Sequence, residues 1–372
     1  MSQDLSKLAP TLYSAAQEVS NEPFGIVDSI FTQFDNQGVA KGDKVKVPVA
    51  PSRDGADFTP SNATPAGADA VAEAVEVEIT KSRKVSWVLT GEQQRSLENG
   101  GTDQEWIRQL VAQGMRTLRN EAERDAAVAV KVGASRAVGT AGSNPFASDP
   151  NALVDLREIL RANGAPMADM QFVGTSATEA ALSKLGIVQL AYAAGSDEER
   201  RSGNLRPQFG FRINTSNGIT AHTAGGFTSG DATVLKGAKQ GSLSLSTGDL
   251  LPGDVIEIAD VDGKYIVTGI DATGNTFDIN RPGFLAAGTT KAVTLAGAYT
   301  PLLGFERNAV VGIMRPPIVP ANPTINQMVI SDGMGMSYLM LDIAQYGQRT
   351  WELHLAWGFK VVQPEHVAIL LS

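Results

Sequence analysis

The stretch from Asp103 to Val132 constrains the fold most, because it reads as one uninterrupted helix. Thr102 or Asp103 can cap its start, Glu105 places an anion in the first turn, and Gly133 ends it. At about 1.5 Å rise per residue such a helix spans roughly 45 Å, longer than most small domains are wide. The length suits a strut, and an ordinary amphipathic core helix fits the same pattern.

The two sides of this helix differ in polarity. Apolar or small residues recur at three- and four-residue steps and predict one packed stripe, formed by Ile107, Leu110, Val111, Gly114, Leu118, Ala122 and Ala129. The opposite side is predicted to be polar and carries Arg108, Arg116, Arg119, Glu123 and Arg124.

Composition narrows the class of protein. The chain has 372 residues, 42% of them hydrophobic, and this length predicts two or three domains. The net charge of -9 argues against a surface that grips phosphate backbones. Without cysteine, disulfides and thiolate metal sites are excluded. We expect neither a signal peptide at MSQDLSKLAP nor a membrane-spanning helix.

The residues before the long helix predict an arm and a ribbon. Residues 5–34 give two short helical pieces broken by Pro10 and Pro23. Valines then alternate in KVKVPVA and again in AVEVEIT, which continues strand-like to Leu89. The Pro- and Gly-rich residues between these runs fit either the tip of a long ribbon or a disordered loop between core strands.

The residues after the long helix predict two further units. A linker at residues 139–150 leads to a helix, the short strand MQFVG and a second helix that Thr175 or Ser176 can cap. Residues 219–300 form short strands joined by PGD, VDGK and DATGN turns, which predicts a separate small β barrel or sandwich. The chain returns to longer strands from Leu302, so this β-rich block is interpreted as an insertion.

Candidate chemistry is sparse. His222, His354 and His366 form no close ligand pair, so we expect no metal site. Asp260 and Asp262 resemble part of a calcium loop but lack its remaining ligands, and a plain turn is the better interpretation.

Nucleotide-binding and serine-hydrolase motifs do not occur in the sequence. Glu365 beside His366 would sit in an extended segment after Pro364, where an interface or solvated role is favoured over acid/base catalysis. The charge run DEERR at residues 197–201 is predicted to be an exposed loop or a subunit contact. We therefore expect no enzyme and no cofactor; a hydrolase site assembled from distant carboxylates is the disfavoured alternative.

Two late segments carry a resemblance to a known family. LLGFERNAVVGIMRPP and the closing strands from GMSYLML onward resemble major capsid proteins of phages with the Hong Kong 97 fold, in the branch with an inserted β domain. The matching positions are Phe305, Arg307, Ala309, Arg315, Pro316, Gly335, Ser337, Trp357, Gly358, Pro364 and Glu365. Tyr338 and Leu339 replace the basic residue that usually follows the Gly-Ser pair, so a local ion pair is not expected there.

The resemblance implies an α+β fold with an N-terminal arm, an extended β loop, a spine helix, an axial domain and an inserted small all-β domain. The implied boundaries are 1–40 for the arm, 41–90 for the extended loop, 91–149 and 331–372 for the peripheral domain with the spine helix, 150–218 and 301–330 for the axial domain, and 219–300 for the inserted domain.

The implied function is self-assembly into an icosahedral shell of pentamers and hexamers around double-stranded DNA. Scaffolding and portal proteins are the implied partners, with no sequence-specific DNA binding and no membrane, and assembly in the host cytoplasm precedes a place in the virion. Subunit contacts are expected at Arg53, Asp54, Asp57, Glu198, Arg200 and Arg201, and the first three could form intersubunit ion pairs. The alternatives are an encapsulin-like compartment shell and a phage tail or adhesin protein.

Overall fold

The computed structural model describes residues 5–20, 25–33, 38–49, 73–93, 95, 103–185, 205, 207–320, 325–331 and 336–372. Its main helices are α1 (Leu5–Ser20), α2 (Asp103–Gly133), α3 (Asn151–Ala162) and α4 (Ser176–Ser183), and short 3-10 turns occupy Arg307–Ala309 and Pro364–His366. The long helix α2, called the spine helix below, begins and ends where the sequence predicts. Thr175 caps α4 by accepting the Thr178 backbone N–H, as one of the two predicted caps.

The first large sheet packs against the spine helix. Its strands run in the order β1, β15, β18, β17, β16, and β4 pairs with β18 as well. Their bounds are β1 Phe31–Gln33, β4 Lys81–Thr90, β15 Val310–Arg315, β16 Ile325–Ser331, β17 Ser337–Gln345 and β18 Gln348–Val361. The 14-residue β18 organises this sheet, because β15 pairs with its last six residues and β4 with its first ten.

The second large sheet holds a core and a closed barrel. The core strands are β5 (Arg136–Val138), β6 (Met170–Gly174), β7 (Phe211–Thr215), β14 (Pro301–Glu306) and β19 (Val367–Leu371), in the order β5, β19, β14, β6, β7. The barrel strands are β8 (Ser229–Val234), β9 (Gln240–Thr247), β10 (Val255–Ile258), β11 (Val261–Ile270), β12 (Thr276–Ile279) and β13 (Gly288–Leu295).

The barrel is closed and filled by side chains. Its ring runs β8, β9, β12, β11, β10, β13 and back to β8, so the structure decides for a barrel over a sandwich. Tyr265, Phe277 and Phe284 pack in its interior, as expected for a barrel of few strands. The barrel has a hydrophobic core of its own, and β11 also pairs with β5 of the core sheet.

The N-terminal residues do not form an uncovered arm. α1 is one helix that passes through Pro10, so the predicted break at this proline is wrong. Leu12, Ala15 and Val19 of α1 are buried against the spine helix and the first sheet. This packing offsets the hydrogen bond that proline removes, and it stabilises a 16-residue helix that would be marginal by itself. The second predicted breaker, Pro23, lies outside the described residues.

The side of the spine helix that was predicted to be polar is partly covered by these N-terminal residues. Arg119 is fully buried and donates to the Val19 carbonyl at 3.1 Å and to Asp28 at 3.3 Å. Arg108 and Arg116 both pair with Glu18 of α1. The helix therefore has two packed sides, since charged groups on the second side receive partners from the N-terminus.

The barrel rests on the C-terminal end of the spine helix. The Asn280 side chain donates to the carbonyl oxygens of Val132 and Ala134, both at 2.9 Å. The Lys264 ammonium donates to the Gly139 carbonyl at 2.8 Å. Carbonyl groups in the last turn of a helix have no partner inside the helix, so Asn280 satisfies acceptors that packing would otherwise leave unpaired.

Asn280→Ala is expected to lower the free energy of unfolding by about 1–3 kcal/mol, because it leaves two carbonyl groups at a covered helix end without their donor. Urea unfolding measures this loss. Asn275→Ala, in the turn that precedes β12, is the control and is expected to cost less than half as much. Equal losses in the two variants would contradict the assigned role of Asn280.

Candidate assembly interface

The ribbon formed by β2 (Lys44–Val49) and β3 (Glu73–Glu78) is a sheet of two strands within the described part of the chain. Register pairs Val45 with Val77 and Val47 with Val75, so these four valines share one face. That face lies toward β15 and β18, where Val77 is fully buried while Val45, Val47 and Val75 are half-buried. The chain's own body therefore covers Val77 completely and the other three valines only in part.

A close backbone contact fixes the base of the ribbon. A Cβ placed on Gly358 of β18 would overlap the Glu78 carbonyl oxygen and lie 3.0 Å from the Ile79 Cα. The Thr80 N–H donates to the Trp357 carbonyl at 3.1 Å, and β4 then continues along β18 for ten residues. The second predicted strand run is thus two strands, of which β4 belongs to the first sheet and β3 to the ribbon.

Ion pairs join β4 to the spine helix. Lys81 lies 2.7 Å from Asp125 and Arg83 lies 2.9 Å from Glu121. Asp125 also accepts from the Trp357 indole N–H at 2.7 Å, which connects the helix to the buried centre of the first sheet. Because the lysine and arginine side chains are more than half exposed, these pairs contribute little to stability, and their main effect is to orient β4.

The outer face of the ribbon is charged. Lys44 lies 3.1 Å from Glu76 across the two strands, and Lys360 of β18 donates to the Glu76 carbonyl at 2.9 Å. The hydrogen bond and charge of Lys44 lower the pKa of Glu76, and Glu76 in turn raises the pKa of Lys44. Both side chains are well exposed, so this pair is accessible to a partner.

The six predicted contact residues lie outside the described residues. Arg53, Asp54 and Asp57 fall in the gap at 50–72, and Glu198, Arg200 and Arg201 fall in the gap at 186–204. Their contacts remain predictions.

The conformation around Glu365 differs from the one that the sequence predicts. Residues Pro364–His366 form a 3-10 turn where an extended segment was predicted, and Glu365 lies 3.6 Å from Arg281 of the barrel. Asp260, the first residue of the suspected calcium loop, pairs with Lys291. Among the described residues, no group of three histidine or acidic side chains is arranged to hold a metal ion.

Sequence reasoning missed two buried polar networks. Glu123 of the spine helix accepts the Val27 N–H at 2.9 Å and the Ser216 hydroxyl at 2.7 Å. His222 contacts both Asp254 and Lys131. The partners in these networks are 32 to 96 residues apart, so no local pattern marks them.

Within the described residues, no helix is long and apolar enough to cross a membrane.

No protein-family model matches the sequence, and no curated protein matches it. Solved structures match over most of the chain at low identity. The capsid of cyanophage P-SCSP1u is 10% identical, with a TM-score of 0.48 and coverage of 93% of this chain and 86% of that one. The mature capsid of bacteriophage PhiM1 is 9% identical, with a TM-score of 0.46 and coverage of 94% and 87%. A virus-like particle from Pyrococcus furiosus is 11% identical, with a TM-score of 0.44 and coverage of 98% of both chains.

Proposed function

We propose that this chain is a major capsid protein that assembles into an icosahedral shell enclosing phage double-stranded DNA. The observation that carries the proposal is the valine face of the ribbon, on which Val77 is buried while Val45, Val47 and Val75 are only half-buried. A two-stranded ribbon is marginal in water unless a further layer covers it. Adjacent copies in a closed shell would supply that layer and pair the ribbon edges.

The packing of α1 limits what neighbouring copies must cover. Leu8, Leu12 and Val19 are buried within the same chain, so the N-terminal helix needs no second copy to satisfy it. The need for a neighbour is therefore concentrated in the ribbon. Because α1 is covered within its own chain, the proposal allows the chain to fold as a monomer first and to assemble into a shell afterwards.

The finer division of the chain belongs to the same proposal. Residues 91–149 and 331–372, with the spine helix, would form the peripheral domain, residues 150–218 and 301–330 the axial domain, and residues 219–300, with the barrel, the inserted domain. We further propose pentamers and hexamers, scaffolding and portal partners, assembly in the host cytoplasm and a place in the virion. The role is structural, without catalysis.

The overall negative charge fits a container for DNA. A net charge of -9 leaves little reason for the chain to bind phosphate tightly, and a wall that released packaged DNA easily would aid filling and ejection. A strongly basic inner surface in an assembled particle would count against this part of the proposal.

Replacing residues 50–72 by a short Gly-Ser turn is expected to give a folded chain that does not form shells, because it removes the residues that the sequence predicts to form the tip of the ribbon. Negative-stain electron microscopy of the purified chain, with and without a candidate scaffold, measures assembly, and circular dichroism checks folding. A Ser61→Gly chain is the matched control and should assemble normally. Shells of normal size from the shortened chain would overturn the role of the ribbon, and rods or trimers from the intact chain would favour a tail or adhesin protein.

An encapsulin-like compartment is the second candidate, because its shell would also be built from copies of one chain that cover each other's ribbons. The contents of purified particles separate the two. Mass spectrometry that finds a stoichiometric enzyme inside, together with no nucleic acid, would replace the capsid proposal with the compartment.

A further inference from the structure

Three polar side chains meet where the barrel joins the spine helix. The Lys131 ammonium nitrogen, in the last turn of the spine helix, lies 3.1 Å from His222 Nδ1. His222 Nε2 lies 2.8 Å from Asp254 Oδ1. His222 lies in the segment that leads into the barrel and forms an antiparallel bridge with Tyr299, which lies in the segment that leads out of it. The imidazole contacts the Tyr299 ring where these two segments meet the barrel, a place we call the neck of the barrel.

Asp254 is fixed as an acceptor. Its side chain is buried and accepts the backbone N–H groups of Gly225, at 3.1 and 3.2 Å, and Leu251, at 2.7 Å. Because an ionised carboxylate can only accept, we assign the His222 N–H to Nε2, which points at Asp254. The lone pair on His222 Nδ1 then faces Lys131.

Gly253 of the barrel leaves space for the side chains of Lys131 and His222. Gly253 has φ +95°, and a Cβ there would lie 3.1 Å from Lys131 Cε and 3.3 Å from His222 Cε1. The Tyr299 hydroxyl donates to the Gly253 carbonyl at 2.5 Å and holds this turn in place. The titratable side chains that contact His222 are therefore Lys131, Asp254 and Tyr299.

The order amine, imidazole, carboxylate is that of a nucleophile, its general base and the group that orients the base. Burial lowers the pKa of Lys131, and the nearby charge of Asp254 opposes this without cancelling it. The amine therefore loses its proton more easily than a solvated lysine, and the imidazole is placed to accept the proton during attack.

We propose that Lys131 is a nucleophilic amine that accepts acyl groups from activated donors such as thioesters, acyl phosphates or anhydrides. The Lys131 nitrogen forms a bond to the acyl carbon, and the bond from that carbon to the leaving group breaks. The proton lost from nitrogen passes to His222 Nδ1, while Asp254 stabilises the imidazolium, and then to the leaving group. The product is an amide that removes the charge at the neck of the barrel. This inference is independent of the proposed shell function.

Competitive acetylation with trace acetic anhydride tests the proposal on the full chain between pH 6 and 10, with peptide mass spectrometry reading each lysine. Lys236, an exposed residue of a barrel turn, is the internal reference. Lys131 is expected to react at least about fivefold faster than Lys236 at pH 7.5 and to reach half its limiting rate at lower pH. His222→Gln keeps an N–H donor for Asp254 but removes the basic Nδ1, and should bring the Lys131 rate down to that of Lys236 or below.

Two results would overturn the assignment. One is a Lys131 rate no higher than that of Lys236 at every pH in the intact chain. The other is an unchanged Lys131 rate in His222→Gln, which would leave burial alone as the cause of any reactivity. If His222→Gln does not fold, the intact chain still tests the reactivity of Lys131, because a rate no higher than that of Lys236 in the same sample overturns the assignment, and His222→Asn then replaces His222→Gln as the test of the imidazole.

Discussion

Gly358→Ala is expected to lower the free energy of unfolding by about 3 kcal/mol and to release the ribbon from the body of the protein. The new methyl group would overlap the Glu78 carbonyl oxygen and approach the Ile79 Cα. Both atoms belong to backbone that cannot rotate away, so the end of β3 must shift, and overpacking of this kind costs about 1–3 kcal/mol or more. The shift would also draw Val77 and Ile79 out of the core.

Urea unfolding measures the stability loss, and limited proteolysis within residues 41–80 measures the release. Gly91→Ala is the matched control, because a Cβ at Gly91 has no heavy atom within 4 Å and its backbone is not in the left-handed region. The control is expected to change stability by less than about 0.5 kcal/mol. Equal stability and equal cleavage in the two variants would contradict the close contact at Gly358.

Glu123→Ala is expected to lower the free energy of unfolding by about 3–5 kcal/mol, because removing one member of a buried polar network leaves the others unpaired. The Glu123 carboxylate accepts from the N–H groups of Ile26, at 3.1 and 3.2 Å, and Val27, and from the Ser216 hydroxyl. It thereby ties residues 25–30 and the end of β7 to the spine helix. Thermal unfolding and hydrogen exchange of residues 25–30 measure the loss.

Glu123→Gln is the conservative control and also tests the pH dependence. Burial raises the pKa of Glu123, while hydrogen bonds from Ser216, Val27 and Ile26 and the charge of Arg119 oppose this. A raised pKa means that the folded state binds the proton more tightly than the unfolded state does, so its contribution is complete below about pH 4.5 and falls as pH rises through the folded pKa. Glu123→Gln cannot ionise and should lack this slope. A slope of equal size in Glu123→Gln would show that another group causes it.

Local sequence pattern was sufficient for individual elements. The spine helix, the strand at MQFVG and the Thr175 cap all follow from periodicity or from a single side chain beside its own helix. The strand alternation in the ribbon was also visible, since side chains on a strand alternate regardless of what covers them. The candidate contacts at Arg53 and Glu198 rested on charge alone and stay predictions.

Pattern failed where a second element decides the outcome. Pro10 predicts a helix break by its own chemistry, but packing on the spine helix outweighs that preference. The sequence pattern predicts that Arg119 and Glu123 lie on a solvated side of the helix. A sequence window does not show that α1 and residues 25–30 cover these two side chains. The pairing of the barrel with β5 is likewise invisible to a sequence window, since it joins residues more than 120 positions apart.

The sequence by itself determined the spine helix from Asp103 to Val132, a valine ribbon and a run of short strands within residues 219–300, because hydrogen bonding and side-chain periodicity in these elements are local. Tertiary structure alone decided which charges became buried, how the base of the ribbon meets Gly358, and how His222 comes to lie between Lys131 and Asp254. These outcomes depend on close approach between distant segments, and the free energy of such contacts is set by packing and desolvation that no single stretch of the chain encodes.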